Sequence, residues 1–173
     1  LTGELANFGD SYENFREEDL LAYFKNLKTT NWQGATRPPC LVHRDVWDLV
    51  GGYSIEFSPG YGSDPDFSAK LYFVGVRYFK GLANSWAYHF ESKTTVSVPQ
   101  NDYKAQFLLK WGMKNSTFRK YVTKLGTPWE ATVEKESPNR IKSWLGLWMG
   151  KMKAILYVMK NKRLLSPQVL NNF

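Results

Sequence analysis

Val50-Gly51-Gly52-Tyr53-Ser54-Ile55-Glu56-Phe57-Ser58-Pro59-Gly60-Tyr61-Gly62-Ser63-Asp64-Pro65-Asp66-Phe67-Ser68-Ala69-Lys70-Leu71 places two carboxylates at the mouth of a glycine-rich loop. Gly51 and Gly52 close an amphipathic run, and Pro59, Gly60 and Gly62 form a connector. Asp64 reads as an N-cap, because its side-chain oxygen can accept a bond from an orphaned amide of the first turn. Pro65 then falls at the first helical position, where a missing N–H costs nothing. Phe67, Leu71 and Val74 share one face and Gly75 is placed as a stop, so the pattern predicts a helix from about Asp64 to Val74.

Upstream, Leu20, Leu21, Phe24 and Leu27 form one stripe of an amphipathic helix over Glu17 to Lys28, with acids leading bases. Trp32 sits in the polar connector from Thr29 to Pro39. Cys40-Leu41-Val42-His43 reads as a short buried strand, with His43 as a satisfied, partly buried histidine. Arg44 to Val50 reads as a short helix ended by Gly51. Downstream, Val76 to Phe79 and Ser85 to Phe90 are aromatic-rich and are expected to be strands.

From Asn101 onward the chain turns basic and helical. Helices are expected over Asp102 to Met113, over Ser116 to Leu125 with Ser116 as cap and Gly126 as stop, and from the Ser137-Pro138 cap to about Arg163. In the last of these, roughly 39 Å long, Ile141, Trp144, Leu145, Trp148, Met152, Ile155, Leu156 and Met159 fall on one face. Lys142, Lys153 and Lys160 fall opposite, and Lys160, Lys162 and Arg163 make a basic end. An interfacial membrane helix and a helix packed on protein both fit this stripe.

The chain has 173 residues, 43% of them hydrophobic and 16% aromatic, enough for a real core and against disorder. Twenty-three basic residues against 16 acidic ones leave a net charge of +7, which suits an anionic partner. Cys40 is the only cysteine, so no internal disulfide can form and a reduced compartment is permitted. No run approaches the length of a membrane span.

The Gly51-Gly52-Tyr53 run, the loop, Ser63-Asp64-Pro65-Asp66-Phe67, Lys70-Leu71 and the later His89 together resemble the acceptor-side segment of family 2 glycosyltransferases. In that family an apolar run and Gly-Gly-aromatic precede Glu-Asp-X-Asp-Leu and Arg-Leu, with a His further on. The resemblance covers Pro38 to Thr95, about a third of the chain. It implies an α/β chain: the acceptor-side half of a GT-A (nucleotide-diphospho-sugar transferase) fold over residues 1–99, with a helical, basic C-terminal extension over 100–173. Ser63 stands where the family usually has Glu. The family's nucleotide-binding half, with its Asp-X-Asp metal motif, would precede this segment, so the resemblance implies the C-terminal part of a longer enzyme.

Transferred residue by residue, the resemblance makes Asp64 the catalytic base that takes the proton of an attacking acceptor hydroxyl. It places Asp66, Trp32, Gly52 and Tyr53 at the acceptor, and His89 and Lys93 at the donor phosphates, with His89 also a metal ligand. A divalent metal, Mg or Mn, would be held mainly by the nucleotide-binding half. Asp64-Pro65-Asp66 also spells the metal motif, but it opens a helix after a glycine-rich loop instead of ending a strand, which favours the base assignment.

The expected function is therefore an inverting sugar transfer of hexosyltransferase type. The sugar passes from a nucleotide-sugar donor to a glycan or lipid-linked acceptor, in polysaccharide or glycoconjugate synthesis at a membrane surface. The alternative is a non-catalytic module whose basic amphipathic helix binds lipid or protein. Charge and aromatics would also suit nucleic acid, but no binding signature for it is present, and none is expected as a partner. The expected location is the cytoplasm, peripheral to the membrane where the last helix is interfacial.

Overall fold

The computed structural model describes residues 6–34, 38–90, 99, 101–129 and 140–161, with the side chains of residues 140–143 excepted. Lys93, the Ser137-Pro138 cap, Lys162 and Arg163 lie outside the described residues. The architecture is mixed: helices with one small antiparallel sheet.

The helices are α1 (Glu17–Asn26), α2 (Arg44–Val50), α3 (Ser63–Phe73), α4 (Tyr103–Trp111), the single turn α5 (Asn115–Thr117) and α6 (Arg140–Asn161). A π-helical stretch, Phe118–Val122, continues α5. Strands β1 (Trp32–Gln33) and β2 (Lys80–Gly81) pair with Trp32 opposite Gly81 and Gln33 opposite Lys80. Trp32 also bridges to Pro128 on its other side.

Helix α3 is the central element because it buries residues on two sides. Ala69 joins Phe57, Phe107, Met113 and Phe118 in one cluster, whereas Phe67 and Leu71 join Phe79 in another, with Val42, Val46 and Val50 packed against it. Full burial of a Phe or Leu side chain contributes roughly 1.5–3 kcal/mol, so these two clusters supply much of the drive for the fold. The first cluster unites the loop before α3 with residues of α4 and the π-helical stretch. Phe73 and Trp111 add a ring pair stacked at 5.0 Å and 3°.

Several local expectations change. Gly62, at φ 87°, is the N-cap of α3 in place of Asp64, which moves into the first turn, and Pro65 becomes the third helical residue. Residues 40–43 are not a strand: they run without a ladder partner into α2, and His43 is exposed, its Nδ1 accepting the amide of Asp45 as N-cap. Lys114, not Ser116, precedes α5. Trp32, expected in a connector, is in β1.

The aromatic runs 76–79 and 85–90 are also irregular. A strand needs a neighbour to take its amides and carbonyls, and the rings here find ring partners instead. Phe15 packs on Tyr88 and Phe90 at 5.2 and 5.1 Å. The Tyr88 hydroxyl accepts the Phe8 amide and donates to the Gly9 carbonyl.

Candidate functional site

The segment from Gly51 to Ser54 is tied down onto α3 at two points. Gly51 ends α2 in the left-handed region, and Gly52 follows at φ 60° with the Trp47 indole against its α-carbon, where a Cβ would lie 2.6 Å from the ring. The two glycines thus turn the chain back over α2. Lys70 then donates to the carbonyls of Val50 at 3.1 Å and Gly52 at 2.9 Å. A lysine at a helix C-terminus satisfies carbonyls that have no intrahelical partner.

The second tie is Asp66. Its carboxylate is fully buried and accepts from the Ser54 hydroxyl at 2.6 Å and from the Trp111 indole N–H at 2.9 Å. The Lys110 ammonium lies 2.9 Å from one of its oxygens and 3.2 Å from the other. Lys110 also donates to Glu56 at 2.6 Å and to Ser54 at 2.9 Å. A buried charge persists only when it is paired and hydrogen-bonded, and Asp66 meets both conditions. Partial burial pushes the Glu56 carboxyl up, but the Lys110 hydrogen bond leads the influences that outweigh it and hold it below its ordinary value.

Between these ties Tyr53 is held by rings, 4.9 Å from Phe67 and 5.7 Å from Trp47. Its phenol lies 3.9 Å from the Cys40 sulfur. Burial, then Cys40, then the charge of Asp64 push its pKa up to about 12, so the phenol is protonated at neutral pH and feels the Asp64 charge. Asp64 itself is half-buried in the first turn of α3. A half-buried carboxylate of this kind can receive the proton of an acceptor hydroxyl that comes within hydrogen-bond reach.

The structure thus brings Gly52, Tyr53, Asp64 and Asp66 to one end of α3. Trp32 lies in β1 with its indole against Gly81. His89 is exposed between Tyr88 and Phe90, the rings that pack on Phe15. Among the described residues no group of three or more His, Cys, Asp or Glu side chains is gathered to hold a metal ion. The described residues therefore do not make a metal centre by themselves.

Comparison with protein-family models, with curated proteins and with solved structures finds no match to this chain.

Sequence reasoning missed Cys40, Ser54, Glu56, Lys110 and Trp111. Lys110 and Trp111 lie about 45 residues beyond Asp66, in a segment read as a separate extension, and no spacing rule links positions that far apart. Cys40 before the Gly51-Gly52-Tyr53 turn carried no local signal either.

Proposed function

We propose that this chain is the acceptor-side half of an inverting, nucleotide-sugar-dependent glycosyltransferase of the family 2, GT-A type. The observation that supports it best is the division of labour between two carboxylates two positions apart. Asp66 is buried and paired with Lys110, whereas Asp64 stays half-buried at the start of α3, where its charge is felt by the Tyr53 phenol. One anchors the site and the other has access to an acceptor.

In the reaction, the acceptor hydroxyl oxygen forms a bond to the anomeric carbon as its proton passes to Asp64. The bond from that carbon to the diphosphate oxygen breaks, and the nucleoside diphosphate leaves with the electron pair. A single displacement inverts the anomeric configuration. The Tyr53 phenol orients the acceptor, and Lys70 and Asp66 keep the Gly52-Tyr53 segment in place over α3. The donor, with Mg or Mn, belongs to the nucleotide-binding half, which these residues do not represent; His89 and Lys93 would be this chain's contributions to it.

The test is nucleotide-sugar turnover with Mg or Mn by the complete enzyme and by its Asp64→Asn variant. Loss of transfer with donor binding retained supports the base role, since general-base catalysis contributes about 10²–10⁴-fold. Unchanged turnover removes Asp64 from that role. Absence of both donor binding and turnover in the unaltered enzyme would leave a non-catalytic binding module.

A further inference from the structure

Helix α6 packs on the domain through its small residues, not through its aromatic face. Gly150 and Ala154 are buried. A Cβ on Gly150 would stand 2.7 Å from the Gly112 carbonyl oxygen, so the two backbones touch. Gly146 faces the methyl of Thr117 in the same row. At 100° per residue the opposite side carries Trp148, Met152, Ile155 and Met159, with Trp144 and Leu156 at its edges. All six are at least 40% exposed. Of the two roles that fitted this stripe, packing on the described domain falls to the small residues, and the apolar face points away from that domain.

Charge decides what could cover it. No residue from Arg140 to Asn161 is acidic. Lys153 and Lys160 are exposed along one flank of the apolar face. The Lys114 ammonium, from the turn before α5, lies beside that of Lys153, which holds its pKa below the usual value. A second copy of the chain would bring further lysines, and another net charge of +7, to the same face. No helix among the described residues is long and apolar enough to cross a membrane. An apolar face with tryptophan, flanked by lysines on a helix about 33 Å long, suits the plane of a bilayer interface.

We propose that the outer face of α6, centred on Trp148, Met152 and Ile155, lies in the headgroup layer of a bilayer containing anionic lipid, with Lys114, Lys153 and Lys160 against the lipid phosphates. The helix lies parallel to the surface, and its glycine-rich back holds it to the domain. This attachment does not depend on the transferase reading: it would hold for a non-catalytic module equally.

The experiment is co-sedimentation of the full chain with unilamellar vesicles of phosphatidylcholine alone, or of equimolar phosphatidylcholine and phosphatidylglycerol. Expected is binding to the anionic vesicles, weakened at least about tenfold by Trp148→Glu with Ile155→Glu. Lys114→Gln with Lys153→Gln should weaken it roughly 25-fold, about fivefold per lysine. Both pairs alter exposed side chains, and unchanged far-ultraviolet circular dichroism checks the fold. Should the glutamate pair not fold, quenching of the unaltered chain's tryptophan fluorescence by brominated lipid replaces it, and absence of quenching overturns the proposal. It is also overturned by equal binding to neutral vesicles, or by binding that the glutamate pair leaves intact. A dimer that the glutamate pair dissolves, without vesicle binding, would overturn it in favour of a second copy.

Discussion

Lys110 holds its ammonium 2.9 Å from the buried carboxylate of Asp66, joining α4 to α3 inside the structure. The pair is supported by Ser54 and by the Trp111 indole, so both carboxylate oxygens are satisfied. The geometry of the Gly52-Tyr53 segment therefore depends on a residue far along the chain.

Removing the cation from this pair is expected to be severe. Lys110→Ala should lower stability by roughly 3–5 kcal/mol, because it leaves Asp66 charged and buried without its counter-ion. The check is the midpoint of urea unfolding. A loss under about 1 kcal/mol, the size of an exposed pair, would mean that water reaches Asp66.

Asp64 and Asp66 should separate cleanly in paired variants. Asp64→Asn removes a charge from the first turn of α3, whose interaction with the helix dipole is worth about 0.3–1 kcal/mol. Asp66→Asn disturbs the buried network and should cost several times more. Equal unfolding midpoints for the two variants would contradict the division between anchor and base.

Tyr53 carries a pH signature. With its pKa raised to about 12 from 10.0, the phenol stays protonated in the folded chain after the unfolded chain has lost that proton. Its stabilising contribution is complete below pH 10 and disappears as pH rises through 12. Phenolate absorbance after a rapid pH jump, comparing the parent with Tyr53→Phe, should show a missing step near 12. Asp64→Asn should move that step down; a step at 10.0 in the parent would refute the proximity.

Glu56 works in the other direction. Its folded pKa lies below the ordinary 4.5, so its contribution is present above that value and is lost as pH falls below it. Glu56→Gln should therefore flatten the acid limb of a stability-against-pH curve; an unchanged limb would show that Lys110 does not favour its ionised form.

Two glycines of α6 should respond oppositely to alanine. At Gly146 the nearest neighbour is the Thr117 methyl, 2.9 Å from a new Cβ, and a side chain can move. The helix-propensity gain of about 1 kcal/mol should then win. At Gly150 the neighbours are the Gly112 carbonyl oxygen and the Met113 α-carbon, at 2.7 and 2.8 Å. Backbone cannot yield so easily, and overpacking of roughly 1–3 kcal/mol should outweigh the same gain. Thermal unfolding of Gly146→Ala and Gly150→Ala decides it; a stabilised Gly150→Ala would mean that α6 is not seated on α4's end.

Local chemistry was readable in residue order. The glycine stop after α2, the helix after the Pro59-to-Gly62 connector, the helix starting near Asp102 and the amphipathic pattern of α1 each depend on neighbours within a turn or two, where spacing and capping operate. Gly52, Tyr53, Asp64 and Asp66 were singled out through the family resemblance of one short segment, not through spacing or capping. What tertiary structure alone decided is which partner each group meets. It gave Asp66 a counter-ion on α4, left the aromatic runs at 76–79 and 85–90 without a ladder, and turned α6 so that glycine faces the domain and tryptophan faces outward. A periodic apolar stripe states that a face is hydrophobic; only the surfaces available to pack against it determine whether that face is buried.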